Sequence, residues 1–444
     1  MERKIYARLL EWKASSYRKP LILKGARQVG KSWILRHFGE REYKYTAYIP
    51  CDSLEYGDSL FRDYNISRIL RNVESICKVP VLPGETLIIF DEIQEIPAGL
   101  TALKYFCENA PEYHVAVAGS LLGITLNRGI SFPVGKVDFL ELYPMDFEEF
   151  LWALDERRLS EAIRDPMMME SEASNRQSEE LLRQYYFCGG MPEAVKTYIG
   201  NRGVMAVREI QKNILEAYNN DIAKHAPLKE AERIHLVMRS LPAQLVKENR
   251  KFVYSAVRKG ARASEFEIAI QWLVDAGIIY RVNRITKPGM PLKFYEDFNA
   301  FKIFLMDTGL LGAMVDAEPS VIFMHPELFS EYKGAFSELY VCQQLIASGL
   351  SPYYYSADNS RVEIDFILAY KDRIFPIEVK AEGNVKGKSL KLFMDKNSIP
   401  RGVRFSMLPY KQQERITNVP LSAAFALKNY LKPPFRSYEA TPDD

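Results

Sequence analysis

Three constellations in this chain have residue types and spacings that could do chemistry. The first is Gly25-Ala26-Arg27-Gln28-Val29-Gly30-Lys31-Ser32. Glycines at both ends let the backbone turn so that successive N–H groups point inward and cradle an anion. Lys31 can reach the outer phosphates of a polyphosphate, and the Ser32 hydroxyl can ligate Mg²⁺. The second is Asp91-Glu92, two carboxylates at the end of the apolar run Thr86-Leu87-Ile88-Ile89-Phe90. Asp91 is placed to hold the Mg²⁺ that Ser32 also touches, and Glu92 to take a proton from an attacking water. The third is Asp365 in one strand with Glu378 and Lys380 in the next, joined by Glu338 from a preceding helix. Hard oxygen ligands of this kind suit Mg²⁺ or Mn²⁺ at Asp365 and Glu378, for metal-assisted hydrolysis of a phosphodiester. Glu338 would complete the outer shell and Lys380 would orient or deprotonate water.

Each set needs elements to hold it. Leu21-Ile22-Leu23 reads as a buried strand before the glycine loop, and Trp33 to Phe38 as a helix after it. Strand, turn and helix thus arrive in the order that a phosphate loop requires. Tyr45 to Ile49 reads as a strand and Ser59 to Cys77 as a helix, giving the alternation of an α/β fold. Thr86 to Phe90 is apolar throughout, as in a strand covered on both faces, whose carboxyl end is where ligands bind in an open sheet. Val115 to Ala118 is a further strand ending at Gly119-Ser120, where Ser120 could bridge a terminal phosphate and the water.

Taken together, the first roughly 220 residues resemble the AAA-type P-loop ATPases, with GARQVGKS as Walker A, LIIFDE as Walker B and VAVAGS as the sensor-1 strand. Phe139 to Phe150 and Gly189-Gly190-Met191-Pro192-Glu193-Ala194 are similar to a bacterial and archaeal subgroup. In that subgroup the ATPase module is joined to a winged helix and a restriction-endonuclease-like domain. The resemblance implies ATP as ligand, Mg²⁺ as cofactor and hydrolysis that drives or gates the C-terminal half. It also implies an arginine finger, for which Arg128 is the nearest candidate. Lys136 stands where relatives often carry arginine, and lysine lacks the planar fork that arginine presents to phosphate. Arg128 reads equally as an ordinary surface arginine.

From about Ile222 the pattern changes. Leu236 to Val246 suggests a helix broken by Pro242, and Ser264 with Glu267 offers a capping box for another. Ile278 to Val282 and Leu292 to Tyr295 read as a strand pair, so helices followed by a wing describe a winged helix. Lys247, Arg250, Lys251, Arg258, Lys259, Arg262, Arg281, Arg284, Lys287 and Lys293 would make a phosphate-contacting face, or an ordinary basic surface on a protein-packing module.

In Arg361 to Leu368, Val362, Ile364, Phe366 and Leu368 share one strand face and Glu363 and Asp365 the other. Ile374 to Lys380 puts Glu378 and Lys380 together. The order Glu338, Asp365, Glu378-x-Lys380 resembles the PD-(D/E)XK nucleases. An active nuclease, a retained fold used for binding or assembly, and solvated edge-strand charge all remain open. Lys386, Lys388 and Lys391 could add phosphate contacts or cover a helix surface.

The expected organisation is an α/β AAA-type core over 1–150, a helical lid over 151–221 and a winged helix over 222–315. A nuclease-like α/β domain over 316–425 and a tail over 426–444 complete it. Asp155 to Glu180, highly charged, reads as a loop or insertion, and its methionine triplet as partly core and partly exposed. A chain of 444 residues with 47% apolar content can bury several cores, and a net charge of +2 gives no overall basic field. Five scattered cysteines and isolated histidines suggest neither a disulfide framework nor a zinc site. The N-terminus lacks the apolar stretch of a signal peptide, and no run is long enough to span a bilayer. The expectation is a cytoplasmic protein with no membrane contact, ATP as ligand, and double-stranded DNA and further copies of the chain as candidate partners. A nucleotide-switched interaction or assembly module with an inactive nuclease fold is the alternative.

Overall fold

Four apolar runs offered as strands assemble, in the computed structural model, with a fifth strand that the sequence pattern does not announce, into a five-stranded sheet. It comprises β1 (Leu21–Lys24), β2 (Tyr45–Pro50), β3 (Thr86–Asp91), β4 (His114–Ala118) and β5 (Asp138–Glu141), in the order β2-β3-β4-β1-β5. Every pairing is parallel, with Leu21 opposite both Ala116 and Asp138. All strands therefore deliver their carboxyl ends to one edge. Leu21, Ile22 and Leu23 are fully buried, as is every apolar residue of β3, because helices cover both faces. One face packs Ile49, Phe61, Ile69, Val73, Ile88, Phe90, Phe106 and Val117 into a single cluster. Helix α1 (Ile5–Ala14) buries Ile5, Leu9 and Trp12, as its helical spacing predicts.

The structure describes residues 1–53, 57–119, 134–245, 251–319, 326–357, 362–381 and 388–432. They form two units, each assembled from separate stretches of chain. One comprises Met1–Leu154, Tyr185–Val282 and Asn299–Phe329, the other Asp155–Gln184, Asn283–Phe298 and Ser330–Asp444.

Several local expectations give way to tertiary packing. The segment read as a loop is largely helical, Arg157–Arg164 and the start of Glu172–Cys188, because Leu159, Ile163 and Leu182 find a core. Of its methionines, Met169 is buried while Met167 and Met168 are exposed, the division expected. Helix Leu228–Leu245 runs through Pro242 without breaking, its last turn held by buried Leu241 and Leu245. Helix Ala263–Asp275 starts one residue before Ser264, so Arg262 takes the cap position and no side chain closes a capping box. Leu292–Tyr295 is a 3-10 turn, and the strand after β6 (Ile279–Ile285) is β7 (Glu296–Leu305). Buried Lys302 interrupts the apolar run of β7 and hides it from a pattern search.

In the second unit, β8 (Tyr353–Ser356), β9 (Glu363–Tyr370), β10 (Arg373–Val379), β11 (Gly402–Ser406), β12 (Lys411–Gln413) and β13 (Ile416–Pro420) lie in the order β12-β13-β11-β10-β9-β8. Strands β9 and β10 form the expected antiparallel hairpin, with Ile377 opposite Phe366. Ile364, Ile367, Phe393 and Met394 centre a core there. Strand β11 buries all five of its residues, from Gly402 to Ser406. Among the described residues, no helix is long and apolar enough to cross a membrane, and all five cysteines are free.

Candidate functional site

The glycine loop leaves β1 and enters helix α2 (Lys31–Glu42) within six residues. Gly25 has φ 145°, and a Cβ there would lie 2.2 Å from the Leu142 carbonyl oxygen, so only glycine fits. Gly30 caps α2 with φ 95°, and Gln28 also takes a positive φ, 66°. The loop is pinned from outside. Arg3 Nη1 donates to the Val29 carbonyl at 2.9 Å and Nη2 to the Tyr143 carbonyl at 2.6 Å, while Glu149 lies 3.1 Å from Arg3 Nε. Tyr218 donates its hydroxyl to the Arg27 carbonyl at 2.8 Å, and the Arg27 side chain pairs with Asp221. In a trans peptide the C=O and the following N–H point oppositely, so holding the Arg27 and Val29 carbonyls directs the Gln28 and Gly30 amides the other way. Gly277, in the turn between helix Ala263–Asp275 and β6, abuts this loop, and a Cβ there would sit 3.2 Å from Ala26 N.

Lys31 is 5% exposed, and its ammonium donates to the Gly25 and Ala26 carbonyls at 2.9 and 2.7 Å. Burial pulls its pKa down to about 8, against the pull of Glu92 and Asp91, which favour the charged form. Asp91 is buried at the end of β3, where Tyr48 donates to its Oδ2 at 2.6 Å and the Glu92 N–H to its Oδ1 at 3.2 Å. Glu92 itself turns out of the strand with φ 49° and accepts from Gln94. A cavity of about 660 Å³ is lined by Gln28, Gly30, Lys31, Ser32, Trp33 and Glu92, together with Arg3, Pro192, Glu193 and Lys196. Ser120 and Arg128 lie outside the described residues, and Lys136 pairs with Glu108 at 3.0 Å.

The wall formed by helix Pro192–Ile199 is set by the glycine pair before it. Met145 N donates to the Gly190 carbonyl at 2.7 Å, and Gly190 N donates to Asp307 Oδ2 at 2.6 Å. A Cβ on Gly190 would be 1.9 Å from Met145 O, and one on Gly189 2.2 Å from Asp307 Oδ1. Asp307 also caps helix Thr308–Met314 by accepting from Leu310 N at 2.9 Å. Burial lifts its pKa to about 6, opposed by backbone donors from Gly190, Leu310 and Gly309. Arg3, Lys196 and Asp307 are absent from the sequence reading because they reach the site from distant stretches of chain.

The donors present fit a nucleotide with Mg²⁺. A buried ammonium bonded to loop carbonyls faces a cavity beside two carboxylates, and Ser32 and Asp91 supply hard oxygens. Among the described residues no group of three or more His, Cys, Asp or Glu is placed to hold a metal ion. Magnesium ordinarily takes one or two carboxylates and completes its shell with phosphate and water.

The C-terminal constellation differs. Asp365 Oδ2 accepts from Val379 N at 2.7 Å. Glu378 lies 3.3 Å from Lys380 Nζ and 3.1 Å from Arg404 Nε, the latter pair almost fully buried. Arg404 sits directly across from Glu378 in the β10–β11 register, and only that register would have revealed it. Glu338 is buried on helix Pro326–Ala347. Three of the basic residues expected to face phosphates are matched by acids of their own surroundings: Arg258 with Glu265 at 3.2 Å, Arg281 with Glu267 at 3.0 Å and Arg284 with Asp297 at 2.8 Å. Lys247, Arg250 and Lys386 lie outside the described residues.

Residues 333–424 match the family model described as Domain of unknown function (DUF4143), residues 179–321 match Domain of unknown function (DUF8612), and residues 17–151 match AAA domain. Among solved structures, a Walker-type ATPase of Pyrococcus abyssi is 18% identical, over 71% of this chain and 95% of that one, with a TM-score of 0.45. The Holliday junction branch migration motor RuvB of Thermotoga maritima is 14% identical over 64% and 90%, TM-score 0.25. Cdc6p of Pyrobaculum aerophilum is 15% identical over 73% and 91%, TM-score 0.24. No curated protein matches. The parallel sheet with its glycine loop therefore belongs to an AAA-type P-loop ATPase domain, carried by residues 17–151.

Proposed function

We propose that the chain binds ATP with Mg²⁺ over the Gly25–Ser32 loop and hydrolyses it, and that turnover controls what the C-terminal half holds. The observation that carries this reading is the convergence of Lys31 and Glu92 on one cavity at the carboxyl edge of a parallel sheet, with buried Asp91 beside them. In this reading the loop amides and the Lys31 ammonium bind phosphate oxygens, and Ser32 and Asp91 hold the metal. Mg²⁺, when bound, neutralises charge on the phosphate oxygens. Tyr48 keeps the Asp91 carboxylate aimed, and Glu92 orients water and accepts its proton. Ser120 is assigned to the terminal phosphate, and Arg128 to a finger supplied across a homo-oligomer interface. The proposed organisation keeps a lid over 151–221, a winged helix over 222–315, a nuclease-like domain over 316–425 and a tail over 426–444, in a cytoplasmic protein.

For the C-terminal half, recognition of another protein is the reading that the charge pairing favours. Arg404 already occupies one side of Glu378, and the arginines at 258, 281 and 284 are matched by acids. The order Glu338, Asp365, Glu378, Lys380 supports a second reading, cleavage of double-stranded DNA with Mg²⁺ or Mn²⁺. Supercoiled plasmid incubated with the intact chain, either metal, and ATP or none separates them. The first reading expects no cutting and no salt-sensitive DNA affinity. Cutting that is lost in Lys380→Ala would overturn it in favour of the second.

A further inference from the structure

Helix α2 turns Ile34, Leu35 and Phe38 into the core and leaves Trp33 and His37 outward. Trp33, immediately after Ser32, is 47% exposed. Its indole stacks on the His37 ring with centroids 4.7 Å apart and planes 14° from parallel, as residues four apart on a helix can. One surface of the ring system is thus fixed by its neighbour. Trp33 also lines two cavities. The first is the space over Lys31, and the second, about 730 Å³, is bounded by Tyr6, His37, Arg41 and Trp152; Met1 and Arg3 border both.

We propose that Trp33 is the platform on which the purine base of the bound nucleotide stacks, the base lying on the indole face that His37 leaves open while the phosphates lie over Lys31 and Ser32. This rests on the ATP-binding reading above and assigns the part of the ligand that the phosphate loop cannot recognise. The phosphate loop reads only the polyphosphate, which every nucleoside triphosphate shares. Only a ribose separates the innermost phosphate from the base, so a base platform has to stand next to the phosphate cradle, and Trp33 follows its last residue. An indole held parallel to a second ring loses little freedom when a third ring joins the stack. Base–aromatic stacking is tolerant of base identity but grows with ring area, so the site favours purines over pyrimidines.

The test uses the intact chain with Mg²⁺ and compares binding of ATP, CTP and inorganic tripolyphosphate to wild type, Trp33→Ala and Trp33→Phe. Trp33→Ala is expected to weaken ATP about tenfold and to leave tripolyphosphate unchanged, while Trp33→Phe keeps most of the ATP affinity. The preference for ATP over CTP should shrink in Trp33→Ala. ATP should quench tryptophan fluorescence in wild type and do so less in Trp33→Phe, where Trp12, Trp152 and Trp272 remain. Unchanged ATP affinity in Trp33→Ala would overturn the platform and leave the ATPase reading standing, as would an equal loss for ATP and tripolyphosphate. Wild type that bound neither ligand would remove both.

Discussion

The phosphate loop and the β9–β10 hairpin both bring lysine and carboxylates together, yet they leave those charges in different conditions. Around Lys31 the ammonium is bonded to peptide carbonyls, and Glu92 lines the same cavity. Around Glu378 both carboxylate oxygens meet a cation, Lys380 on one and Arg404 on the other. A site that satisfies its charges internally has little electrostatic work left to offer a ligand. One that holds a buried ammonium against neutral carbonyls gains when anionic oxygens replace them.

Breaking this contrast should be easiest at the loop. Lys31→Ala is expected to lose ATP by about a hundredfold or more, from charge-assisted bonds to two phosphates, as read by calorimetry. Glu92→Gln should keep ATP affinity and slow turnover by about 10²–10⁴, as measured by phosphate release; turnover equal to wild type would remove Glu92 as the base. At the hairpin the expected phenotype is stability. Arg404→Ala removes the buried partner of Glu378, leaving it only the more exposed Lys380, and should cost up to about 3 kcal/mol in urea unfolding, much of it recovered when Glu378→Leu is added. Lys380→Ala, whose ammonium is a third exposed, should cost under about 1 kcal/mol.

Two pH profiles sharpen the same comparison. The native Asp307 carboxyl has a pKa of about 6, raised from 3.8, so the folded chain holds its proton where the unfolded chain has lost it. Stability from this group is fully present below pH 4 and falls by about 3 kcal/mol as pH rises from there through 6, a drop that Asp307→Asn should flatten in unfolding curves. Lys31 titrates near 8, lowered from 10.5, so ATP affinity should decline as pH rises through 8, where the free ammonium loses its proton. Affinity that stayed flat to pH 9.5 would mean that Lys31 does not meet the phosphates as a cation.

The features legible in the amino-acid sequence are the contiguous ones. The loop Gly25–Ser32 and the acidic end of β3 declare themselves because a strand, its turn and its helix start are neighbours in sequence, and the AAA domain follows from them. Arg3, Asp307 and Arg404 had no local signature, since each acts on a residue more than twenty positions away. The strand at Leu292 was misplaced because a lysine buried in β7 broke its apolar pattern, and Pro242 stayed helical because packing of Leu241 and Leu245 outweighed one missing donor.

Gly277 leaves less than one methyl group of clearance between the footing of β6 and the peptide at Ala26. The spacing between the phosphate loop and the start of β6 is therefore one that a single added carbon at position 277 would change.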